Sequence, residues 1–202
     1  MPRINTEYRE DAKKKIIAAA IEIASEKSWD AVTMDAIAKK VGVTKGALYA
    51  YFDNSEALLR AVILEVFANV RAGLIDTLAD DEDVHRIVRN LAELIFEQQK
   101  PYSTIFYQLP IRIPQDEQYR EEFSGIFDAN RIIICNCLEG LKAKKKLPET
   151  IDPDEASHAI IGMTMGLRIT SLFLGKDSER TKKIWIDSVE RLLMVEPGAG
   201  KC

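Results

Sequence analysis

Residues 33–52, TMDAIAKKVGVTKGALYAYF, constrain the fold of this chain more than any other stretch. Met34, Ile37, Ala38 and Val41 recur at i, i+3, i+4 and i+7, the spacing that gives a short helix one apolar face. Thr33 stands where an N-cap hydroxyl accepts a hydrogen bond from an orphan amide, and Asp35 puts negative charge in the first turn, where the helix dipole favours it. Gly42 follows the last apolar position. A glycine enters the left-handed region without a Cβ penalty, so the chain can leave one helix and restart at a steep angle. Thr44 then caps a second short helix, with Val43, Ala47 and Leu48 expected to face inward and Lys45, Gly46, Tyr49 and Ala50 outward.

Two short helices hinged at a glycine form a helix-turn-helix, and the outward set has the size and chemistry of a DNA-reading surface. A helix enters the major groove, about 12 Å wide, when its leading turn is small or hydrogen-bonding. Gly46, Ala47 and Ala50 supply that clearance, and Lys45 reaches toward a guanine edge or a phosphate. Thr33 and Thr44 place hydroxyls beside helix N-termini, where amides also attract phosphate. Tyr49 and Tyr51 add phenol donors on apolar bodies.

The amino-terminal region resembles the TetR-type one-component transcription regulators. The resemblance is carried by Ile17, Ala20 and Ala24, then Trp29, Ala31, Val32 and Thr33, then Ile37, Ala38, Val41, Gly42 and Val43. It continues through Gly46, Leu48, Tyr49, Tyr51 and Phe52 to Asn54, Glu56 and Leu58. It implies a homodimer that binds a double-stranded operator, with Thr33, Thr44, Lys45, Gly46, Tyr49 and Tyr51 facing DNA. Two positions depart from the family pattern: Tyr51 stands where a histidine is frequent, and Ser55 where a phosphate-touching lysine is frequent. Asp53, Asn54 and Ser55 are all capping types, so the amides at that helix start remain available to phosphate.

The net charge of −4 over 202 residues has the wrong sign for a general nucleic-acid binder, but it is unevenly spread. Residues 1–52 hold nine Lys/Arg against seven Asp/Glu, or +2, leaving nineteen against twenty-five, or −6, for the remainder. DNA binding therefore depends on placed contacts and dimerisation more than on a basic field. The charged start lacks the apolar stretch of a signal peptide, which implies a cytoplasmic protein. The most membrane-like run, 159–175, contains Arg168 and suits a buried helix. Cys135 and Cys137 point in different directions on a helix, and with Cys202 they imply free thiols in a reducing compartment. No catalytic residue, metal site or cofactor is expected. His85 and His158 are far apart, there is no HExxH, nucleophile elbow or phosphate loop, and Asp154 with His158 is no more than a one-turn pair.

Periodicity is helical almost throughout, which predicts an all-α chain: a DNA-binding domain over 1–53, then a helical ligand-binding and dimerisation domain over 54–197. Helices are expected at about 7–27, with Ile17, Ala20, Ile21 and Ala24 on its buried stripe, and at about 54–78, with Asp53 and Glu56 as a cap pair. Others are expected at about 84–99, 117–145, 153–174 and 178–195. Pro101, Pro110 and Pro114 break the stretch between, where Ile111–Ile113 reads as loop. The lysines at 142 and 144–146 complement a helix dipole.

Phe67, Phe96, Phe106, Tyr107, Phe123, Phe127 and Met163 are the candidate lining for a small apolar or aromatic effector, with Arg168 as partner for an acidic group. Gly162 and Gly166 share a helical face on which two helices can approach, and Ile184, Trp185, Val189 and Leu192 would add apolar contacts across a homodimer. The alternative is a helical ligand- or partner-binding module without specific DNA recognition.

Overall fold

The computed structural model describes residues 6–27, 29–79, 82–98, 117–175 and 178–195, and every element among them is helical. The elements are α1 (Thr6–Glu26), a 3-10 turn (Trp29–Ala31), α2 (Met34–Val41), α3 (Lys45–Tyr49) and α4 (Ser55–Leu78). They are followed by α5 (Val84–Glu93), a π-helical turn (Leu94–Gln98), α6 (Glu117–Ala143), α7 (Pro153–Leu174) and α8 (Ser178–Leu192). The stretch 101–114, with its prolines and Ile111–Ile113, lies outside the described residues. The chain forms two compact units, with the division at Asn69/Val70 inside α4.

In the amino-terminal unit, α1 packs on α2 and on the 3-10 turn. Its buried stripe is Ile16, Ala19, Ala20, Ile23 and Ala24, while Ile17 and Ile21 are half-buried. The stripe is therefore rotated from the expected one. In IIAAAIEIA apolar side chains cover several faces, so periodicity leaves the phase open and packing chooses it. The start of α4 is also corrected: Asn54, not Asp53, is the cap, its Oδ1 accepting from the Ala57 amide at 2.8 Å. Leu58, Leu59, Val62, Ile63, Val66 and Phe67 of α4 are buried.

In the carboxy-terminal unit, α6 packs on α7, and α8 packs on both α5 and α7. The core takes Leu74 from α4, Val84, Ile87, Val88 and Leu91 from α5, Ile134, Leu138 and Leu141 from α6, Ile160 from α7, and Trp185 and Val189 from α8. Leu94, Ile95 and Phe96 are three successive buried residues, an inward run broader than one α-helical stripe, and there the helix widens into the π turn. Gly73 permits the close approach of that turn: a Cβ on it would stand 2.7 Å from Leu94 Cδ1.

Two helices end earlier than the sequence predicts, for one reason. Lys145 (φ 58°) and Met194 (φ 53°) take the left-handed conformation, and the Lys146 and Val195 amides bond back to the Leu141 and Glu190 carbonyls at 2.9 and 3.0 Å. These are Schellman closures built without glycine. Lys142 donates to the Ile151 carbonyl and Lys144 pairs with Glu82, so that lysine cluster belongs to the helix end.

Candidate nucleic-acid interface

The turn between α2 and α3 is assembled from local hydrogen bonds. Thr33 Oγ1 accepts from the Ala36 amide at 3.1 Å and opens α2. Gly42, at φ 80°, closes it, with the Gly42 and Val43 amides both donating to the Ala38 carbonyl at 2.9 and 3.0 Å. Thr44 Oγ1 then accepts from the Ala47 amide at 3.2 Å and opens α3. Both hydroxyls accept in these caps, so each retains its proton for a phosphate oxygen. Met34, Ile37 and Ala38 bury one side of α2, and Leu48, fully buried, anchors α3.

Thr44, Lys45, Gly46, Tyr49 and Ala50 form an exposed face, with Thr33 exposed at the start of α2 and Tyr51 half-buried. At Gly46 the nearest obstacle to a Cβ is Thr44 Oγ1 at 3.9 Å, so nothing bulky stands over that part of α3. Val43 departs from expectation: it is exposed, because the residue after the left-handed glycine turns away from the α2 core.

Sequence reasoning missed two features of this surface. Lys45 Nζ lies 2.7 Å from Asp35 Oδ2, and that carboxylate holds the ammonium above the ordinary lysine range. Arg9 Nη2 donates to the Ala50 carbonyl at 3.1 Å, tying α1 to the residue that ends α3. Lys40 is occupied on α1 by Glu22 at 2.6 Å and by Glu26, and both carboxylates raise its pKa. An open cleft beside the start of α4 is lined by Trp29, Asp30, Met34 and Glu56; its two carboxylates disfavour an anion.

Residues 16–62 match the family model described as bacterial regulatory proteins, tetR family. Over those residues the chain carries a TetR-type helix-turn-helix region. Relatives include the biofilm operon icaADBC HTH-type negative transcriptional regulator IcaR of Staphylococcus epidermidis, 32% identical over 97 residues. That match spans 48% of this chain and about half, 52%, of the relative. The HTH-type transcriptional regulator YdeS of Bacillus subtilis is 29% identical over 154 residues, 76% of each chain. The fold is shared with solved structures: a crystal structure of the transcriptional regulator FadR from Bacillus subtilis in complex with stearoyl-CoA superposes with a TM-score of 0.71. It covers 89% of this chain and 97% of that one at 20% identity. A TetR-type regulator is not an enzyme. Here His85 meets Glu190 at 2.8 Å, His158 is exposed beside Asp154, and no metal-ligand cluster occurs among the described residues. No described helix is long and apolar enough to cross a membrane, and Cys135 and Cys137 are both free thiols.

The candidate effector residues are divided between the units. Phe67 is buried in the amino-terminal one. In the carboxy-terminal one, Phe96 is buried and Met163 half-buried in a common cluster, Phe123 is buried on α6, and Phe127 is half-buried there. Phe106 and Tyr107 lie outside the described residues. Arg168 donates one N–H, through Nη1, to the Ile95 carbonyl at 2.9 Å.

The candidate dimer residues also separate. A Cβ on Gly162 or Gly166 would meet nothing within 4 Å, and Ile184, Phe173 and Leu174 are exposed. Trp185 and Val189 are fully buried in their own subunit's core, which removes them as contacts to a second copy; Leu192 is half-buried against the same core. Trp185 stacks edge-on to Phe96 with centroids 6.2 Å apart, and its indole N–H donates to Thr164 Oγ1 at 2.8 Å.

Proposed function

We propose that this chain is a transcriptional repressor that binds a near-palindromic operator as a homodimer and is released by a small apolar or aromatic effector. The observation that carries the reading is the exposed face of Thr44, Lys45, Gly46, Tyr49 and Ala50 on a helix seated by Leu48. Its small residues allow groove entry, while the hydroxyls, ammonium and phenol offer hydrogen bonds to bases and phosphates. The name of the staphylococcal relative as a negative regulator favours repression over activation. The acyl ligand in the crystal structure of FadR favours an apolar effector.

Dimerisation rests on α7, where Gly162 and Gly166 are open on one face with Phe173 and Leu174 exposed farther along. A two-fold axis then places the readers on half-sites about 34 Å apart or somewhat more. An effector releases DNA only by binding the DNA-free conformation more tightly than the operator-bound one.

The test is retardation of DNA from the gene's own upstream region by the purified protein, with Lys45→Ala and Tyr49→Ala as variants. Both should weaken specific binding without unfolding the chain, and Gly166→Leu should shift the protein toward monomer and lose tight operator binding together. Wild-type affinity in both reader variants would remove this surface from DNA recognition. Failure of the wild-type protein to retard any fragment would favour a helical ligand- or partner-binding module.

A further inference from the structure

Along α6 one stripe runs Phe123, Phe127, Asn130, Ile134, Leu138 and Leu141, at spacings of three or four residues. Five members are apolar. The sixth is a carboxamide only 5% exposed, and neither its Oδ1 nor its Nδ2 has a hydrogen-bond partner among the described residues. The nearby polar groups are committed elsewhere: Arg131 takes Asp128, Asp154 and Ser157, and Ser157 also donates to the Asp154 carbonyl. A buried polar group left without a partner costs about 1–3 kcal/mol, whereas Leu fills a similar volume at no such cost. The amide therefore calls for a partner that the described residues do not supply.

We propose that Asn130 is the polar anchor of the effector site, and that the effector carries a neutral carboxamide or lactam edge on its apolar or aromatic body. The inference rests on the regulator reading and names the ligand chemistry of its sensing domain. The donor and acceptor of Asn130 lie side by side, so one planar group offering an acceptor and a donor in the same arrangement satisfies both. A carboxylate would satisfy Nδ2 and face the Oδ1 lone pairs; an ammonium would satisfy only Oδ1. Carboxylate recognition would also call for a cation, and the adjacent Arg131 is already paired with Asp128 and Asp154. Phe127 and Phe123, about one and two turns toward the start of α6, supply aromatic surface for the ligand body.

The experiment uses the full chain, with cinnamamide as probe and methyl cinnamate and cinnamate as partners of matched skeleton. In wild-type protein, cinnamamide should shift the Asn130 side-chain NH2 resonances, assigned by their loss in Asn130→Leu, and bind at least about tenfold more tightly than either analogue. Asn130→Leu should remain folded, be at least as stable as wild type, and bind the three probes alike. Equal binding of the three probes to wild type, an unchanged preference in Asn130→Leu, no binding of cinnamamide, or an Asn130 resonance that sees only a trapped water would each overturn the proposal. Should Asn130→Leu fail to fold, the wild-type resonances and probe ranking decide alone. Operator retardation without probe is measured in parallel: its loss in wild type would sink the regulator reading, whereas intact retardation without amide preference would sink only this one.

Discussion

Lys45 and Asp35 stand on different helices ten residues apart, yet Nζ lies 2.7 Å from Oδ2. The only cation on the outer face of α3 is thus held by a carboxylate on α2, and both groups are exposed. Contact with phosphate or guanine requires Lys45 to exchange that partner. Asp35→Asn should therefore tighten operator binding at low salt by about three- to tenfold, with the gain fading as ions screen the charge. Lys45→Ala should lower the slope of log K against log salt by about 0.9 if the lysine neutralises one phosphate. Filter binding across a salt series measures both, and an unchanged slope in Lys45→Ala would leave Lys45 off the DNA backbone.

Gly42 tests the hinge itself. Nothing within 4 Å would obstruct a Cβ there, so any loss on substitution comes from φ 80° and not from crowding. Gly42→Ala should cost about 1–2 kcal/mol, the penalty of a Cβ in the left-handed region, and Gly42→Asn should cost less. Urea unfolding compares the two. Equal losses would point to a steric cause.

Trp185, Thr164 and the Ile160 carbonyl form a part-buried relay, the indole donating to Thr164 Oγ1 and the hydroxyl donating onward at 2.8 Å. Thr164→Val strands the indole N–H and should cost about 1–3 kcal/mol. Trp185→Ala also removes the ring that packs on Phe96, and about 3–5 kcal/mol is expected. Calorimetry with tryptophan emission follows both. A neutral Thr164→Val would mean that the indole has found another acceptor.

Burial first, and the carboxylates of Glu139 and Asp154 after it, raise the Cys135 thiol above the ordinary range. The folded state thus keeps this proton longer than the unfolded chain. Its stabilising contribution is fully present below the ordinary thiol pKa and is lost as pH rises through the folded value. Alkylation of Cys135 by iodoacetamide should be slow at neutral pH, slower than that of half-buried Cys137, and should accelerate only on the alkaline side. Peptide mass mapping resolves the two, and a faster Cys135 would contradict its burial.

What the sequence determined by itself is local. Thr33, Thr44 and Gly42 act through hydrogen bonds spanning three to five residues, so residue type and spacing suffice to read the helix-turn-helix and its outward face. The ends of α6 and α8 escaped that reading because Lys145 and Met194 take a conformation their side chains do not advertise. Tertiary structure alone decided the rest. It chose which of several apolar faces α1 buries, drew Trp185 and Val189 into the core, joined Lys45 to Asp35 across the turn, and enclosed Asn130 without a partner among the described residues. Hydrophobic burial is non-directional, so a run that is apolar on several sides fits a core in more than one rotation. Only the shapes of the neighbouring helices, drawn from distant parts of the chain, select one of those rotations and fix which polar groups end up inside.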